Sequence, residues 1–298
     1  MMSCPVTDNI STAAASDMTA ECPVCPRHCR LAPGETGWCR GRVNKGGKVV
    51  CANFGAITSA AMDPIEKKPF ARFHPGSYIL SVGSYGCNLS CPFCQNSSIS
   101  QASASDFQDI AVEIVTAEEL VAAAALQANS ETGNLGAAFT YNEPLISWEF
   151  ARDCGRLLHE QGLFSVLVTN GMICLQPLTE LLPYVDAMNI DLKGFNQKFY
   201  DWIGGDLETV KQTIQMAHKA GCHVEITTLV IPGMNDDPDE MKKESAWLAS
   251  LSPEIPLHIT RFFPRYKCND MAPTPADTIR KLCRIAGEDL RYVYSGNL

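Results

Sequence analysis

Six short apolar runs, each followed by a stretch of helical character, occupy the chain from residue 77 onward and constrain its fold more than any other feature. These runs are Tyr78–Val82, Ala137–Tyr141, Ser165–Thr169, Ala187–Leu192, Val224–Ile231 and Leu257–Phe263. Strand followed by helix, repeated in this way, is typical of a parallel sheet with helices on its outside. We therefore predict an α/β fold with six parallel strands.

The helical stretches carry recognisable ends. Thr116 is a suitable N-cap because its side-chain oxygen can accept from a free backbone N–H of the first turn. Gly162 and Gly221 are the glycines expected just after helix ends. The predicted helices are Ala117–Ala128, Leu145–Gln161, Leu207–Ala220, Asp237–Leu251 and Thr274–Ala286.

Polar residues and glycines collect just after the predicted strands, where parallel α/β proteins place their ligands. These positions are Ser84–Cys94, Asn142–Pro144, Asn170–Gly171, Asp191–Lys193, Pro232–Gly233 and Pro264–Arg265. We expect the functional site at this edge of the sheet.

Three cysteines, Cys87, Cys91 and Cys94, follow the first predicted strand with the spacing C-x3-C-x2-C. Three thiolates can hold three irons of a cubane cluster and leave the fourth iron open to another ligand. A closed zinc site with a remote fourth ligand is the alternative. The position of the loop after the first strand, and the polar ends of the other strands, favour the cluster.

A second cysteine group lies near the N-terminus, in a segment rich in proline and glycine. Its members are Cys22, Cys25, Cys29 and Cys39. So short a segment cannot fold on a hydrophobic core alone, and a bound metal would supply folding energy. Structural zinc, a second iron–sulfur cluster and a free-thiol redox element are the open alternatives.

Composition and charge limit the setting in which the protein works. The 33 acidic residues outnumber the 24 basic ones and give a formal net charge of −9, so nucleic acid is not an expected partner. The first residues do not resemble a secretory signal, and no apolar run approaches the roughly 20 residues of a membrane span. We expect a cytoplasmic protein without a membrane partner, in which fourteen cysteines favour metal binding over disulfides.

The sequence divides into three parts. Residues 1–20 are expected to form a flexible leader, residues 21–76 a cysteine-rich segment and connector, and residues 77–298 the α/β unit. In the connector, Glu66, Lys67 and Lys68 are expected to form a solvated face.

From about Tyr78 to Pro264 the sequence resembles the radical SAM superfamily, whose C-x3-C-x2-C loop follows the first strand of a partial barrel. It is more similar to activating enzymes of pyruvate formate-lyase type, and most similar to the AmmeMemoRadiSam system branch, named for its association with Memo-family and AMMECR-family proteins. The motifs that carry this resemblance are the N-terminal cysteine motif beginning at Cys22, Asp63–Pro69, Cys91–Asn96, Thr140–Pro144 and Thr228–Gly233. The resemblance implies a partial (β/α)6 TIM-like barrel with a small cysteine-rich metal-binding segment at its N-terminus.

The chemistry that this resemblance implies is the reductive cleavage of S-adenosylmethionine (SAM). A [4Fe–4S] cluster on Cys87, Cys91 and Cys94 would bind SAM at its open iron and deliver one electron. The resulting 5′-deoxyadenosyl radical would abstract hydrogen from a protein or small-molecule substrate, and flavodoxin or ferredoxin would supply the electron. Activation of a glycyl radical enzyme and modification of an unknown substrate in the Memo-associated system are both open. A non-catalytic zinc-binding scaffold is the alternative function.

Residue roles also follow from the resemblance. Glu143 is expected to bind the methionine amine and Asp191 to help hold a cation beside the cofactor carboxylate, while Lys193 faces the site. Arg261 could meet an anionic group or lie at the surface. The candidate catalytic residues are Lys193 and Arg261, and the candidate cofactor-binding residues are Phe93, Asn142, Glu143, Thr169, Asn170, Asp191 and Ile231.

Three positions depart from the pattern of the activating enzymes. Asn142 replaces a glycine, Val168 stands where those enzymes have an acid, and Thr227 stands where they have an arginine. Cation binding and substrate recognition are therefore expected to differ from theirs.

Overall fold

The N-terminal part of the chain is built from short antiparallel pairs. The structure is a computed structural model that describes residues 18–106 and 110–298. Residues 1–17 of the predicted leader lie outside the described residues. β1 (Ala20–Glu21) pairs with β2 (Arg30–Leu31), and β3 (Arg42–Lys45) pairs with β4 (Lys48–Cys51).

The main sheet confirms the predicted fold class. The other strands are β5 (Ala56–Ile57), β6 (Ser59–Pro64), β7 (Tyr78–Gly83), β8 (Glu113–Ile114), β9 (Gly136–Phe139), β10 (Phe164–Thr169), β11 (Ala187–Asp191), β12 (His223–Val230), β13 (Leu257–Arg261) and β14 (Val293–Gly296). Within the described residues, eight of them form one sheet in the order β14-β13-β12-β11-β10-β9-β7-β6. All neighbours run parallel except β6 and β7, which are antiparallel.

This sheet is a partial barrel, since β6 and β14 stand at its two ends. The six predicted strands correspond to β7 and β9–β13 and are confirmed. β14 and the antiparallel edge strand β6 were not predicted. β5 and β8 form a separate small pair.

The helices of the described residues are α1 (Ser97–Ser100), α2 (Ala117–Ala128), α3 (Trp148–Glu160), α4 (Leu175–Leu181), α5 (Gln197–Ile203), α6 (Leu207–Lys219), α7 (Pro238–Leu251) and α8 (Ala276–Ala286). Of these, α2, α3, α6 and α8 pack on the strands of the sheet. Thr116 caps α2 as predicted, because its hydroxyl accepts from the Glu119 N–H at 3.1 Å and the Glu119 carboxylate accepts from the Thr116 N–H at 2.7 Å. The predicted start of α3 at Leu145 was early, since Pro144–Ser147 forms a 3₁₀ turn. In the part of the chain that the structure describes, no helix is long and apolar enough to cross a membrane.

The inner face of the barrel is filled from one end by the segment after β6. We call residues 65–73 the plug. Its apolar side chains, Ile65, Phe70 and Phe73, are buried in one cluster with residues of four parallel strands, namely Ile79, Ala138, Val166 and Ala187. The buried Asn189 of β11 donates to the Pro69 carbonyl at 2.7 Å, which fixes the plug to the sheet.

Candidate functional site

The cysteine loop leaves the carboxyl end of β7 and leads into α1. Gly86, just before Cys87, has φ +83°, and a Cβ atom there would lie 2.4 Å from the Cys39 carbonyl oxygen. The Cys87 N–H donates to the same carbonyl at 3.1 Å. Glycine is therefore required where this loop meets the N-terminal segment.

The sulfur atoms of the loop have polar partners. Cys87 Sγ accepts from the Leu89 N–H at 3.3 Å and faces Asn170 Nδ2 at 3.6 Å, and Cys94 Sγ lies 3.3 Å from Ser100 Oγ. Burial raises the pKa of Cys87 well above its usual value and that of Cys91 to about 12. A metal would overcome this penalty by binding the thiolates, which the N–H donors also stabilise.

These cysteines fit a cubane by their chemistry and by their place in the fold. In residues 18–106 and 110–298, no three His, Cys, Asp or Glu side chains are arranged to hold a metal ion. A cubane has a different requirement, because each thiolate binds a different iron and the sulfurs need not converge on one point.

Asn142 holds the cysteine loop in place. Its Nδ2 donates to the carbonyls of Tyr85 and Gly86, both at 3.1 Å, and its Oδ1 accepts from the Ser84 N–H at 2.9 Å. The side-chain amide of Asn142 therefore forms hydrogen bonds with the loop backbone. Its cofactor-binding role stays a prediction.

Glu143 is the buried acid of the site, with 2% of its surface exposed. Its carboxylate accepts from Thr169 Oγ1 at 2.6 Å, from the Asn170 N–H at 2.8 Å and from the Leu145 N–H at 2.9 Å. Burial raises the pKa of Glu143 to about 7, although these hydrogen bonds oppose the shift. The ends of β9 and β10 are thereby joined through one carboxylate.

Asn170 connects Glu143 with the cysteine loop. While its backbone binds the carboxylate, its Nδ2 donates to Asn88 Oδ1 at 2.9 Å and lies near Cys87 Sγ. Four of the predicted residues, Cys87, Glu143, Thr169 and Asn170, therefore come together in one hydrogen-bonded group.

Asp191 and Lys193 form an ion pair at the end of β11. Lys193 Nζ lies 2.8 Å from Asp191 Oδ2. Burial lowers the pKa of Lys193, but the negative charge of Asp191 more than offsets this, so that its pKa is raised. Lys193 therefore stays cationic at the end of β11.

The other predicted residues lie apart from this group. The Phe93 ring is buried against Trp202 and Phe199, with centroids 5.5 and 6.2 Å away. Ile231 is fully buried and donates its N–H to Asn235 Oδ1 at 2.7 Å. The Arg261 guanidinium lies over Phe263, 4.8 Å from the ring centroid.

A polar group on the inner face was not predicted from the sequence. Lys68 Nζ lies 2.9 Å from Asp63 Oδ2 and 4.4 Å from the centroid of the Tyr141 ring, and the Tyr141 hydroxyl donates to the same Asp63 oxygen at 2.8 Å. Burial opposes ionisation of Asp63, but its bonds with Lys68 and Tyr141 hold its pKa well below the usual range. The expected solvated face is therefore wrong for Lys68, which is 4% exposed, and right for Glu66 and Lys67.

The backbone of Tyr141 gives a further sign that this group is constrained. Tyr141 has φ +69°, an uncommon value for an aromatic residue, and its carbonyl accepts from Asn96 Nδ2 at 2.8 Å. Tyr141 thus links the end of the cysteine loop to the polar group on the inner face. The sequence signal for this group was the motif Asp63–Pro69. The sequence alone could not show that Lys68 is buried and that its neighbour Lys67 is exposed.

Two of the positions that depart from the activating enzymes also lie on the inner face. Val168 packs against the plug cluster, and Thr227 Oγ1 donates to Asn189 Oδ1 at 2.8 Å. Both side chains therefore contact other residues inside the barrel.

Comparison with known proteins agrees with this geometry. Residues 81–244 match the family model of the Radical SAM superfamily. An uncharacterized protein of Methanocaldococcus jannaschii is 40% identical over 285 residues, which are 95% of this chain and 82% of that protein.

Two further matches are the sequence of an enzyme and a solved structure. Pyruvate formate-lyase 1-activating enzyme of Escherichia coli K12 is 27% identical over 161 residues, or 52% of this chain and 61% of that enzyme. The chain therefore matches somewhat less than two thirds of that enzyme's length. A radical SAM methyltransferase of Sphaerobacter thermophilus shares the fold with a TM-score of 0.58, at 16% identity over 75% of this chain and 67% of that chain.

Proposed function

Because this chain belongs to the radical SAM superfamily and is homologous to the pyruvate formate-lyase activating enzymes, we propose that it cleaves SAM to start radical chemistry on a substrate. The observation that carries the proposal is the hydrogen-bonded group of Cys87, Glu143, Thr169 and Asn170 at the carboxyl edge of the sheet. Family membership implies a [4Fe–4S] cluster and SAM. The site offers three cysteines on one loop with a buried acid beside them.

Cys87, Cys91 and Cys94 would hold the cluster. When bound, it supplies the electron that cleaves the sulfur–C5′ bond of SAM, which yields methionine and a 5′-deoxyadenosyl radical able to take hydrogen from a substrate. The protein contributes by holding its own polar groups in place around that reaction.

Glu143 is the residue best suited to the methionine ammonium. Thr169 and Asn170 orient its carboxylate, so that it can accept a further donor without rearranging. Asp191 keeps Lys193 cationic. Lys193 would bind a negatively charged group near the loop, either the carboxylate of the cofactor or an anionic group of the substrate. Asn142 and Asn88 would act as positioning residues for the loop.

The substrate belongs to the finer part of the proposal. A protein or a small molecule would lose hydrogen in the barrel, and activation of a glycyl radical enzyme is one such reaction. Modification of a substrate in a Memo- and AMMECR-associated system is the other, in line with the AmmeMemoRadiSam resemblance. A cytoplasmic setting, with flavodoxin or ferredoxin as electron donor, completes the proposal.

The non-catalytic zinc scaffold remains the competing function. Buried Glu143 would have no role in such a scaffold, although burying an acid is costly, and neither would the partly exposed pair Asp191–Lys193. This cost at the strand ends favours the enzyme.

A single anaerobic assay tests the proposal. The reconstituted chain is reduced with dithionite, given SAM and analysed for 5′-deoxyadenosine. Wild type and the matched control Cys283→Ala, a half-buried cysteine of α8, are expected to form it, while Cys91→Ala is not. The proposal fails if wild type forms no more than Cys91→Ala.

A further inference from the structure

The four N-terminal cysteines lie together around the hairpin β1–β2. The Cys22 N–H donates to the Cys29 carbonyl at 2.9 Å, which brings these two residues side by side across the hairpin. Cys22, Cys25 and Cys39 are 4%, 7% and 6% exposed, and Cys29 is partly exposed. This small segment therefore buries three thiols, and the reaction proposed at the cysteine loop uses none of them.

The two cysteine groups are in direct contact. The Cys39 carbonyl accepts from the Cys87 N–H at 3.1 Å, and Gly86 allows this approach because any side chain there would meet that carbonyl. Arg27, which lies between Cys25 and Cys29, donates from Nε to the Asn88 carbonyl at 3.0 Å, and Asn88 Oδ1 accepts from the Asn170 amide that faces Cys87 Sγ.

The opposite side of the N-terminal group faces solvent. Cys29 is partly exposed, and Trp38, next to Cys39, is 52% exposed with the Arg27 guanidinium 4.7 Å from its ring centroid. The segment therefore reaches from the protein surface to the backbone of Cys87. Zinc has no redox chemistry, so a zinc site would make no use of this placement.

We propose that Cys22, Cys25, Cys29 and Cys39 hold a second iron–sulfur cluster, which passes electrons to the Cys87–Cys91–Cys94 site. One electron from reduced flavodoxin or ferredoxin enters the N-terminal cluster and leaves it for the first site, where the cleavage of SAM consumes it. No bond or proton changes at the N-terminal cysteines. The electron-transfer role rests on the proposed function, whereas cluster binding does not.

Metal analysis tests the binding part without any activity. After anaerobic reconstitution we expect about eight irons in wild type and about four in the variant Cys87→Ala/Cys91→Ala/Cys94→Ala, with an EPR signal on reduction. The variant Cys25→Ala/Cys39→Ala is expected to retain about four irons, and Cys283→Ala the full content. Zinc near one per chain, with no iron left in the triple variant, would overturn the proposal, and so would equal iron in wild type and Cys25→Ala/Cys39→Ala.

A comparison of two reductants tests the electron-transfer part. In Cys25→Ala/Cys39→Ala, formation of 5′-deoxyadenosine with reduced flavodoxin should fall at least tenfold further than formation with dithionite, which can reduce the first site directly. Equal losses with both reductants would overturn this role. Absence of 5′-deoxyadenosine in wild type would instead count against the proposed function and leave the iron result standing.

Discussion

Glu143 shows how single residues connect the strands at the proposed site. It belongs to the motif after β9, yet two of its hydrogen-bond donors, Thr169 and Asn170, come from β10 and the turn after it, and the third is the nearby Leu145 N–H. The motif made Glu143 a candidate from the sequence, as the spacing did for the three cysteines of the loop. The hydrogen bonds between Asn142 and the loop backbone could not be predicted from a motif, because they depend on where β7 ends in space.

Replacing Glu143 by glutamine should weaken SAM binding. Glutamine has no charge for the ammonium, and its amide NH₂ would oppose one of the donors that now bind the carboxylate. A charge-assisted hydrogen bond contributes about 1.5–3 kcal/mol, so we expect roughly a 10- to 100-fold higher Kd for SAM. Equilibrium dialysis of the reconstituted chain measures this, with the exposed Glu160→Gln as control. Equal affinity in Glu143→Gln and wild type would contradict the proposed role.

Replacing Lys68 by methionine should destabilise the fold strongly. The change removes the buried cation of Asp63 and leaves only the exposed Lys67 as a cation beside it, and the loss of a buried partner costs about 3–5 kcal/mol of unfolding free energy. Lys67→Met is the matched control, because Lys67 bonds the same carboxylate from an exposed position and should cost less than about 1 kcal/mol. Urea unfolding measures both.

A double variant separates the buried charge from general packing effects. If the unpaired carboxylate is the cause, Asp63→Asn/Lys68→Met should be more stable than Lys68→Met alone. Equal losses of unfolding free energy in Lys67→Met and Lys68→Met would show that the burial of Lys68 adds nothing to the contribution of its ion pair with Asp63.

Strands and helices were predictable from local patterns to the extent that the patterns were long. The periodicity of β7 and β9–β13, and the caps of helices such as α2, were visible in the sequence. β14 has only four residues and α4 and α5 seven each, too few for a clear period. The plug could not be predicted, because its burial depends on an inner face assembled from four strands far apart in the sequence.

Glu225 of β12 anchors the plug and should make its stability depend on pH. Its carboxylate accepts from the N–H groups of Ala71 and Arg72 at 2.9 and 2.8 Å and contacts His258 at 2.6 Å. Burial opposes ionisation, but the hydrogen bonds from His223 and His258, and then those from the plug, lower the pKa of Glu225 to about 2. Since the carboxyl has a lower pKa in the folded state, its contribution is fully present above its usual value of 4.5 and is lost as pH falls toward 2.

Unfolding in urea at about pH 5 and about pH 3 checks this window. Wild type should lose more unfolding free energy between the two values than Glu225→Gln, which cannot titrate there. A variant with the pH dependence of wild type would show that other carboxyl groups govern acid unfolding.

In the whole molecule, the N-terminal part and the barrel are closely joined. Arg42, 1% exposed, forms a paired contact with Glu149 of α3 at 2.7 and 2.6 Å, and β6 and the plug belong to the barrel itself. The division predicted at residue 76 stays a prediction, although residues 59–73 pack within the barrel. Composition alone indicated neither the packing of the N-terminal part on the barrel nor the hydrogen bond between the backbones of Cys39 and Cys87.

The most direct test of the central claim is EPR spectroscopy of the reduced, reconstituted chain with and without SAM. If SAM binds the open iron of a cluster on Cys87, Cys91 and Cys94, its addition should shift the spectrum of wild type. The variant Cys87→Ala/Cys91→Ala/Cys94→Ala should show no such shift. A wild-type spectrum unchanged by saturating SAM would contradict the claim.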